Sequence, residues 1–316
     1  MAPADVGFSS RVLAALIGMY SLFAYLTRRA RFQAREWGSD RTARLVQILC
    51  EAIAWLLGVR LDIVVPADGK TPSFPYAGAG VVAAASPHGA LPLTQAGIGM
   101  ALFRLRPDLK TFKLRNAAAS VLFSVPGLRE LILLMGARDA SKRVLTKCLA
   151  QGYSVALNPG GNYEMASTSH THEAIYCQQG LGFVRLAMAA GKPILPLYSF
   201  GENQLFVTSA AFLETRRWIA RTLRIGLPIF FGRFGLPLGP PFPTTVTLVV
   251  GREISVGPPN ANPTEAEVEA VFNRYLDEIS RVWATYATTY LPASVAANGL
   301  RVERIGSGVI RRVSAL

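Results

Sequence analysis

From residue 60 onward the chain changes hydrophobic period repeatedly, from the two-residue repeat of strands to the 3.6-residue repeat of helices. The apolar, β-branched runs LDIVV (61–65) and VVAAAS (81–86) predict buried strands. Gly89 precedes a helical stretch to about Phe103, and 111–114 reads as a further strand. The apolar run 117–134 is broken by Pro126 and Gly127. Ser141 opens a helix that runs to Gln151 and stops at Gly152. Residues 153–159 form a strand that runs into a glycine turn. Helix 183–190 ends at Gly191 and leads into strand 193–200, and 245–251 is another strand. The last helix is the clearest. Asn262 is its expected cap, Pro263 suits its first position, and Val268, Phe272, Tyr275, Ile279, Val282 and Trp283 recur on one face. Strands alternating with helices define an α/β fold.

Two apolar stretches precede this pattern. Residues 12–26 carry no charge, with Arg11 before them and Arg28, Arg29, Arg31 and Arg35 after; 45–59 contains Glu51. No small-residue cleavage site follows the first, so it reads as a retained membrane anchor, either crossing once or lying with 45–59 at shallow depth. Residues 206–234 interleave arginines with Phe212, Trp218 and Phe230, the composition of an interfacial helix. The tail after Pro292 is basic and reads as loose. The expected organisation is a membrane-associated segment 1–59, a main domain 60–291 and a basic tail 292–316.

Composition sharpens this picture. The 316 residues suffice for one large domain. Hydrophobic residues are 51% and the mean hydropathy is +0.30, while 17% are charged, which fits a globular domain with membrane-seeking parts. The net charge of +13 calls for a negative partner. Zinc-finger spacing, a basic heptad helix and an aromatic ribonucleoprotein signature are all missing, so the partner is read as a membrane surface or a phosphorylated ligand and not nucleic acid. Cys50, Cys148 and Cys177 form no framework, which points to a reducing compartment.

Only three histidines are present. His88 follows a strand in AAASPHGALPL, between Pro87 and Gly89, where an imidazole titrating near neutrality can serve as a general base. In ALNPGGNYEM (156–165), Gly160 and Gly161 let backbone N–H groups approach an oxyanion, and Glu164 can bind a hydroxyl or orient a base. PLYSFGENQLF (196–206) brings Glu202 and Asn203 to a strand end. Other patterns carry less. GAGVVA (78–83) leads into a strand where a dinucleotide fingerprint leaves one. His170-x-His172 with Glu173 is weak as a metal set, and G-x-S-x-G is missing.

Together these pieces resemble the type-2 diacylglycerol acyltransferases with their monoacylglycerol and wax-ester relatives, along roughly residues 60–288. SPHG (86–89) is similar to the family's His-Pro-His-Gly box. GARDASKR (136–143) resembles its second block, and NPGGNYE (158–164) resembles its Pro-Gly-Gly…Glu block. GFVRLAMAAGKPILPLYSFGENQLF (182–206) and TTVTLVVGREISV (244–256) match later blocks. Ser86 stands where the family's box has its first His. Leu93 stands where wider glycerolipid acyltransferases have an Asp five positions after the catalytic His; the type-2 family lacks that Asp too.

The resemblance implies a single α/β acyltransferase domain with a mixed central sheet flanked by helices. It implies transfer of a fatty acyl group from acyl-CoA to a lipid hydroxyl, with diacylglycerol as first acceptor; the alternatives are a monoacylglycerol, a wax alcohol or a lysophospholipid as acceptor, or a catalytically weak lipid-binding relative. His88 is the implied base, Glu164 its first orienting partner and Glu202 the second, with Gly160 and Gly161 at the oxyanion. Ser86, Pro87, Gly89, Glu202 and Asn203 fall among the substrate-contacting positions, and Arg115, Arg138, Lys142, Arg143 and Arg185 are the candidates for the CoA phosphates. No metal or prosthetic group is expected. The implied location is the endoplasmic reticulum or a lipid-droplet surface, with the catalytic domain facing the cytosol, and a homo-oligomer is compatible with it.

Overall fold

The structure is a computed structural model that describes residues 6–35, 37–65, 80–91 and 113–315. In chain order the strands are β1 (Arg60–Val64), β2 (Val82–Ser86), β3 (Leu114–Ala118), β4 (Ala137–Asp139), β5 (Ser154–Leu157), β6 (Glu173–Cys177), β7 (Ile194–Phe200), β8 (Val207–Thr208), β9 (Phe230–Phe231), β10 (Thr245–Val250), β11 (Leu300–Arg304) and β12 (Gly308–Val313). The helices are α1 (Val6–Leu26), α2 (Asp40–Leu56), α3 (Leu128–Leu134), α4 (Lys142–Ala150), α5 (Gly161–Ser167), α6 (Gly182–Ala190), α7 (Leu213–Thr222), α8 (Glu265–Tyr290) and α9 (Ala293–Ala296).

Seven strands form one mixed sheet in the order β1-β10-β7-β2-β5-β3-β4. The five from β7 to β4 run parallel, β10 is antiparallel to β7, and β1 is parallel to β10. Strand β2 is buried on both faces, as its unbroken apolar run requires. Its side chains alternate between two clusters: Val82 and Ala84 face one, Ala83 and Ala85 the other. The first cluster is the larger and is covered by α6 and α8. There Trp283 of α8 meets Tyr198 and Phe200 of β7 at ring-centroid distances of 5.7 and 6.0 Å. The result is a mixed α/β domain with a central sheet, as the pattern predicts.

The structure refines several expectations. The strand expected at 111–114 is β3, which begins at Leu114, and the helix expected after Gly89 lies from residue 92 onward outside the described residues. Helix α8 is capped by Thr264, not Asn262: Thr264 accepts from the Glu267 amide while Glu267 accepts from the Thr264 amide. Asn260 and Asn262 instead make a local turn before the cap. Within 206–234 the helix is short, and its Arg216 turns inward to donate to the Ser209 and Ala211 carbonyls.

The tail is not loose. Strand β11 pairs parallel to β6 and β12 pairs antiparallel to β11, making a second sheet. The reason is in the side chains: Leu300 and Val302 point into the main core while Arg301 and Glu303, which alternate with them, stay only partly buried.

The N-terminal helices rest on the domain at specific points. Tyr20 donates to Glu130, and Arg129 donates to the Thr27 carbonyl. Most of their apolar side chains face outward, with Leu26 69% and Leu56 72% exposed. No helix among the described residues is long and apolar enough to cross a membrane, so the expected crossing at 12–26 finds no such helix.

Candidate active site

Parallel neighbours share one carboxyl edge, and the three predicted motifs follow three adjacent strands. His88 stands just past the end of β2, Gly160 and Gly161 just past β5, and Glu202 and Asn203 just past β7. Since β2 lies between β5 and β7, the topology itself brings the motifs together. Ligands of open α/β sheets bind at such carboxyl ends.

His88 is partly buried, and its main-chain N–H donates to Glu164 Oε1 at 3.1 Å. Its Nδ1 lies 3.2 Å from the Gly89 carbonyl oxygen. A carbonyl only accepts, so this contact assigns the proton to Nδ1 and leaves the Nε2 lone pair available. Burial lowers the imidazole from its ordinary value to about 4. The expectation of a base titrating near neutrality is therefore corrected: the ring is neutral throughout the physiological range. Gly89 has φ of +69°, and a Cβ there would come within 2.8 Å of Glu202 Cγ. Glu202 thus packs against the turn that carries His88.

Glu164 is 1% exposed and lies in the first turn of α5. Burial raises its carboxyl to about 8, with the backbone of His88, Gly160 and Tyr176 pulling the other way and Glu173 adding repulsion. At neutral pH it holds a proton. It grips the histidine's backbone, whereas the sequence reading put it on the imidazole. Gly160 is required beside it: a Cβ would meet Glu164 Oε2 at 2.5 Å and the Tyr176 carbonyl at 2.6 Å. Gly161 has φ of +53° and open space in front of it.

Behind Glu164 lies a polar network that the sequence reading missed. Glu173, buried at the start of β6, accepts from Tyr198 Oη at 2.9 Å, Asn203 Nδ2 at 2.9 Å and Gln204 Nε2 at 3.1 Å. Thr168 Oγ1 donates to Asn203 Oδ1 at 2.8 Å. Burial raises Glu173 to about 7, and the three donors oppose that rise. An acidic residue opening the apolar run EAIYC (173–177) was the available signal. His170 and His172 turn instead to Thr208 and Ser169.

The other predicted positions separate. Ser86 is fully buried at the end of β2 and exposes nothing to a substrate; Pro87, in a cis peptide with Ser86, is buried too. Arg115 and Arg138 are buried beneath the N-terminal linker. Arg115 donates to the Ala34 carbonyl at 2.7 Å and stacks on Tyr153, and Arg138 donates to the Gln33 carbonyl at 2.6 Å and to that of Arg35. These guanidiniums hold the linker to the sheet. Arg185 pairs with Glu265 on the surface. Lys142 and Arg143 are exposed at the start of α4.

A parallel-centred α/β sheet with a histidine turn and a glycine turn on adjacent carboxyl ends defines an α/β protein with its candidate site at that edge. The chain belongs to the diacylglycerol acyltransferase family, whose pattern it matches over residues 75–295. It is 32% identical over 194 residues to the human 2-acylglycerol O-acyltransferase 3, covering 56% of each chain. To Diacylglycerol O-acyltransferase 1 of Eremothecium gossypii it is 28% identical over 170 residues, covering 51% of this chain and 37% of the relative. To human Diacylglycerol O-acyltransferase 2 it is 27% identical over 184 residues, covering 53% of this chain and 46% of the relative. The chain spans about half the length of the curated relatives it matches.

Proposed function

We propose that this protein is a membrane-associated O-acyltransferase that moves a fatty acyl group from acyl-CoA to a lipid hydroxyl, with diacylglycerol as acceptor and triacylglycerol as product. The observation that carries the reading is the imidazole of His88, held by its backbone to Glu164 with Nδ1 against a carbonyl and Nε2 available.

In the proposed step the acceptor oxygen attacks the thioester carbonyl carbon while Nε2 takes the hydroxyl proton. The tetrahedral oxyanion is stabilised from the Gly160–Gly161 turn. The carbon–sulfur bond then breaks, and the imidazolium returns its proton to the CoA thiolate. Ester and free CoA are the products. A weakly basic imidazole suits this sequence because proton transfer accompanies attack and the thiolate is a good leaving group. The thioester arrives already activated, so the reaction needs neither metal nor prosthetic group. The outward apolar faces of α1 and α2 support a membrane surface as the place of work, on the endoplasmic reticulum or a lipid droplet with the catalytic domain facing the cytosol. Of the candidates for the CoA phosphates, solvent-exposed Lys142 remains, since Arg143 lines a separate cavity.

A second reading takes a monoacylglycerol as acceptor, and the identity to a protein named 2-acylglycerol O-acyltransferase 3 supports it. The test is product analysis with labelled oleoyl-CoA and a panel of diacylglycerol, monoacylglycerol, long-chain alcohol and lysophosphatidate, run beside His88→Ala. Labelled triacylglycerol that falls by about 10²–10⁴ in the variant is expected. Full turnover by folded His88→Ala would overturn the mechanism, and labelled diacylglycerol would move the acceptor to the second reading.

A further inference from the structure

A cavity of about 530 Å³ lies where the chain leaves α1. Five cations line it, Arg28, Arg29, Arg31, Arg143 and Lys147, beside Phe32 and Gln33. Among the described residues no acidic side chain lines it, and none of the five cations forms an ion pair with a described residue. The cavity shares no residue with the His88 edge of the sheet.

Three features mark it as built for an anion. Arg31 is fixed: one guanidinium nitrogen donates to the Ser120 carbonyl at 3.2 Å and the group lies 4.6 Å from the Phe32 ring centroid. Yet its buried Nε has no hydrogen-bond acceptor, a condition that costs free energy until one arrives. Helix α4 opens on Lys142 and Arg143 with no acidic residue in its first turn, setting cations on the positive end of the helix dipole. Arg143 and Lys147 are also a like-charge pair one turn apart, which is unfavourable by itself. An oxyanion with several acceptor oxygens relieves the crowding of positive charge, and a phosphate group does so with charge-assisted bonds to more than one guanidinium.

The source of the phosphate follows from the surroundings. The cavity begins at Arg28, two residues past Leu26, where the outward apolar face of α1 ends. A bilayer that takes up that face sets its headgroups level with the cavity. We propose that this cavity binds the headgroup phosphate of an anionic phospholipid, a step that rests on the membrane association proposed above.

The test uses the full chain purified in neutral detergent. The probes are soluble dihexanoyl phosphatidic acid, dihexanoyl phosphatidylcholine and 3′,5′-ADP, the last carrying the phosphates of CoA without a lipid. Each is titrated against the wild type and against the Arg29→Gln/Lys147→Gln variant, whose two sites are solvent-exposed. Phosphatidic acid should bind about tenfold more tightly than phosphatidylcholine, and the variant should lose about that factor. Equal binding of phosphatidic acid by both proteins would overturn the site. Binding of 3′,5′-ADP in place of phosphatidic acid, lost in the same variant, would overturn the lipid source. Acyl transfer is measured on the same samples and should be unchanged in the variant. A protein inactive toward every acceptor but with variant-sensitive phosphatidic acid binding would support the cavity and overturn the catalytic reading.

Discussion

Glu164 accepts a hydrogen bond from the main-chain N–H of His88 at 3.1 Å, and so it holds the turn on which the imidazole stands. The carboxyl reaches this position from the first turn of α5 across a gap that only the absent side chain of Gly160 leaves open. A charged form is disfavoured there by burial, so the useful species is the neutral acid accepting through its carbonyl oxygen.

Glu164→Gln keeps an acceptor of the same shape, whereas Glu164→Ala strips it away. The Gln variant should retain most acyl transfer and stability. The Ala variant should lose about 1–3 kcal/mol of stability, with a larger loss of kcat than of acyl-CoA affinity. Thermal unfolding and steady-state kinetics on both variants check this. Equal kinetics for Ala and Gln would show that the turn holds without the contact.

Stability should fall as pH rises through the neutral range. Glu164 and Glu173 have folded values of about 8 and about 7, above the ordinary value of 4.5. Between those limits the folded state binds more protons than the unfolded one, so each unit of pH weakens it. The contribution is complete below about 4.5 and gone above about 8. His88, lowered to about 4, acts in the opposite sense and only between about 4 and its ordinary 6.5. Urea unfolding at steps from pH 5 to 9 should show the decline, and Glu164→Gln/Glu173→Gln should flatten it. An unchanged slope in that double variant would refute the assignment.

Tyr198→Phe removes one of the three donors to Glu173 and leaves the edge-to-face ring contact with Trp283 in place. A loss of about 1–3 kcal/mol is expected, since a buried carboxyl loses a partner. The apparent titration of Glu173 should move further up. Trp283→Ala should cost more, about 3–5 kcal/mol, because a fully buried ring leaves a cavity against β7. Denaturant midpoints rank the two.

Removing residues 293–316 should destabilise the domain, because β11 covers an edge of β6, whose first residue is Glu173. Val302→Asp places an unpaired charge at a fully buried position and should have the same effect without shortening the chain. Limited proteolysis reads both. Resistance equal to wild type would make the tail an ornament.

Exposed leucines on α1 and α2 should govern vesicle association. Leu16→Ser/Leu22→Ser/Leu49→Ser should weaken flotation with phosphatidylcholine vesicles, at about 1.5–3 kcal/mol for each side chain that is fully buried in lipid. Unchanged flotation would move the membrane contact elsewhere on the chain.

The sequence by itself determined much of this. Periodicity located β2, β5, β7 and β10 to within a residue or two and the start of α8 likewise, because these elements are buried and their apolar patterns are strict. Motif chemistry singled out His88, Gly160 and Glu202, since each follows a strand and has a glycine beside it, and Glu164, which follows the Gly160–Gly161 turn. Local signals failed where partners are distant in sequence. β11 became a strand only through β6; the cap at Thr264, by contrast, rests on Glu267 only three residues away, a local signal passed over in favour of Asn262. Arg115 and Arg138 looked like free cations but were claimed by carbonyls of a linker about 80 and about 105 residues earlier. The role of Glu164 was likewise decided in three dimensions. Which atom a buried carboxyl reaches depends on the sheet order that sets β5 beside β2, and its protonation depends on the desolvation that only the assembled core imposes.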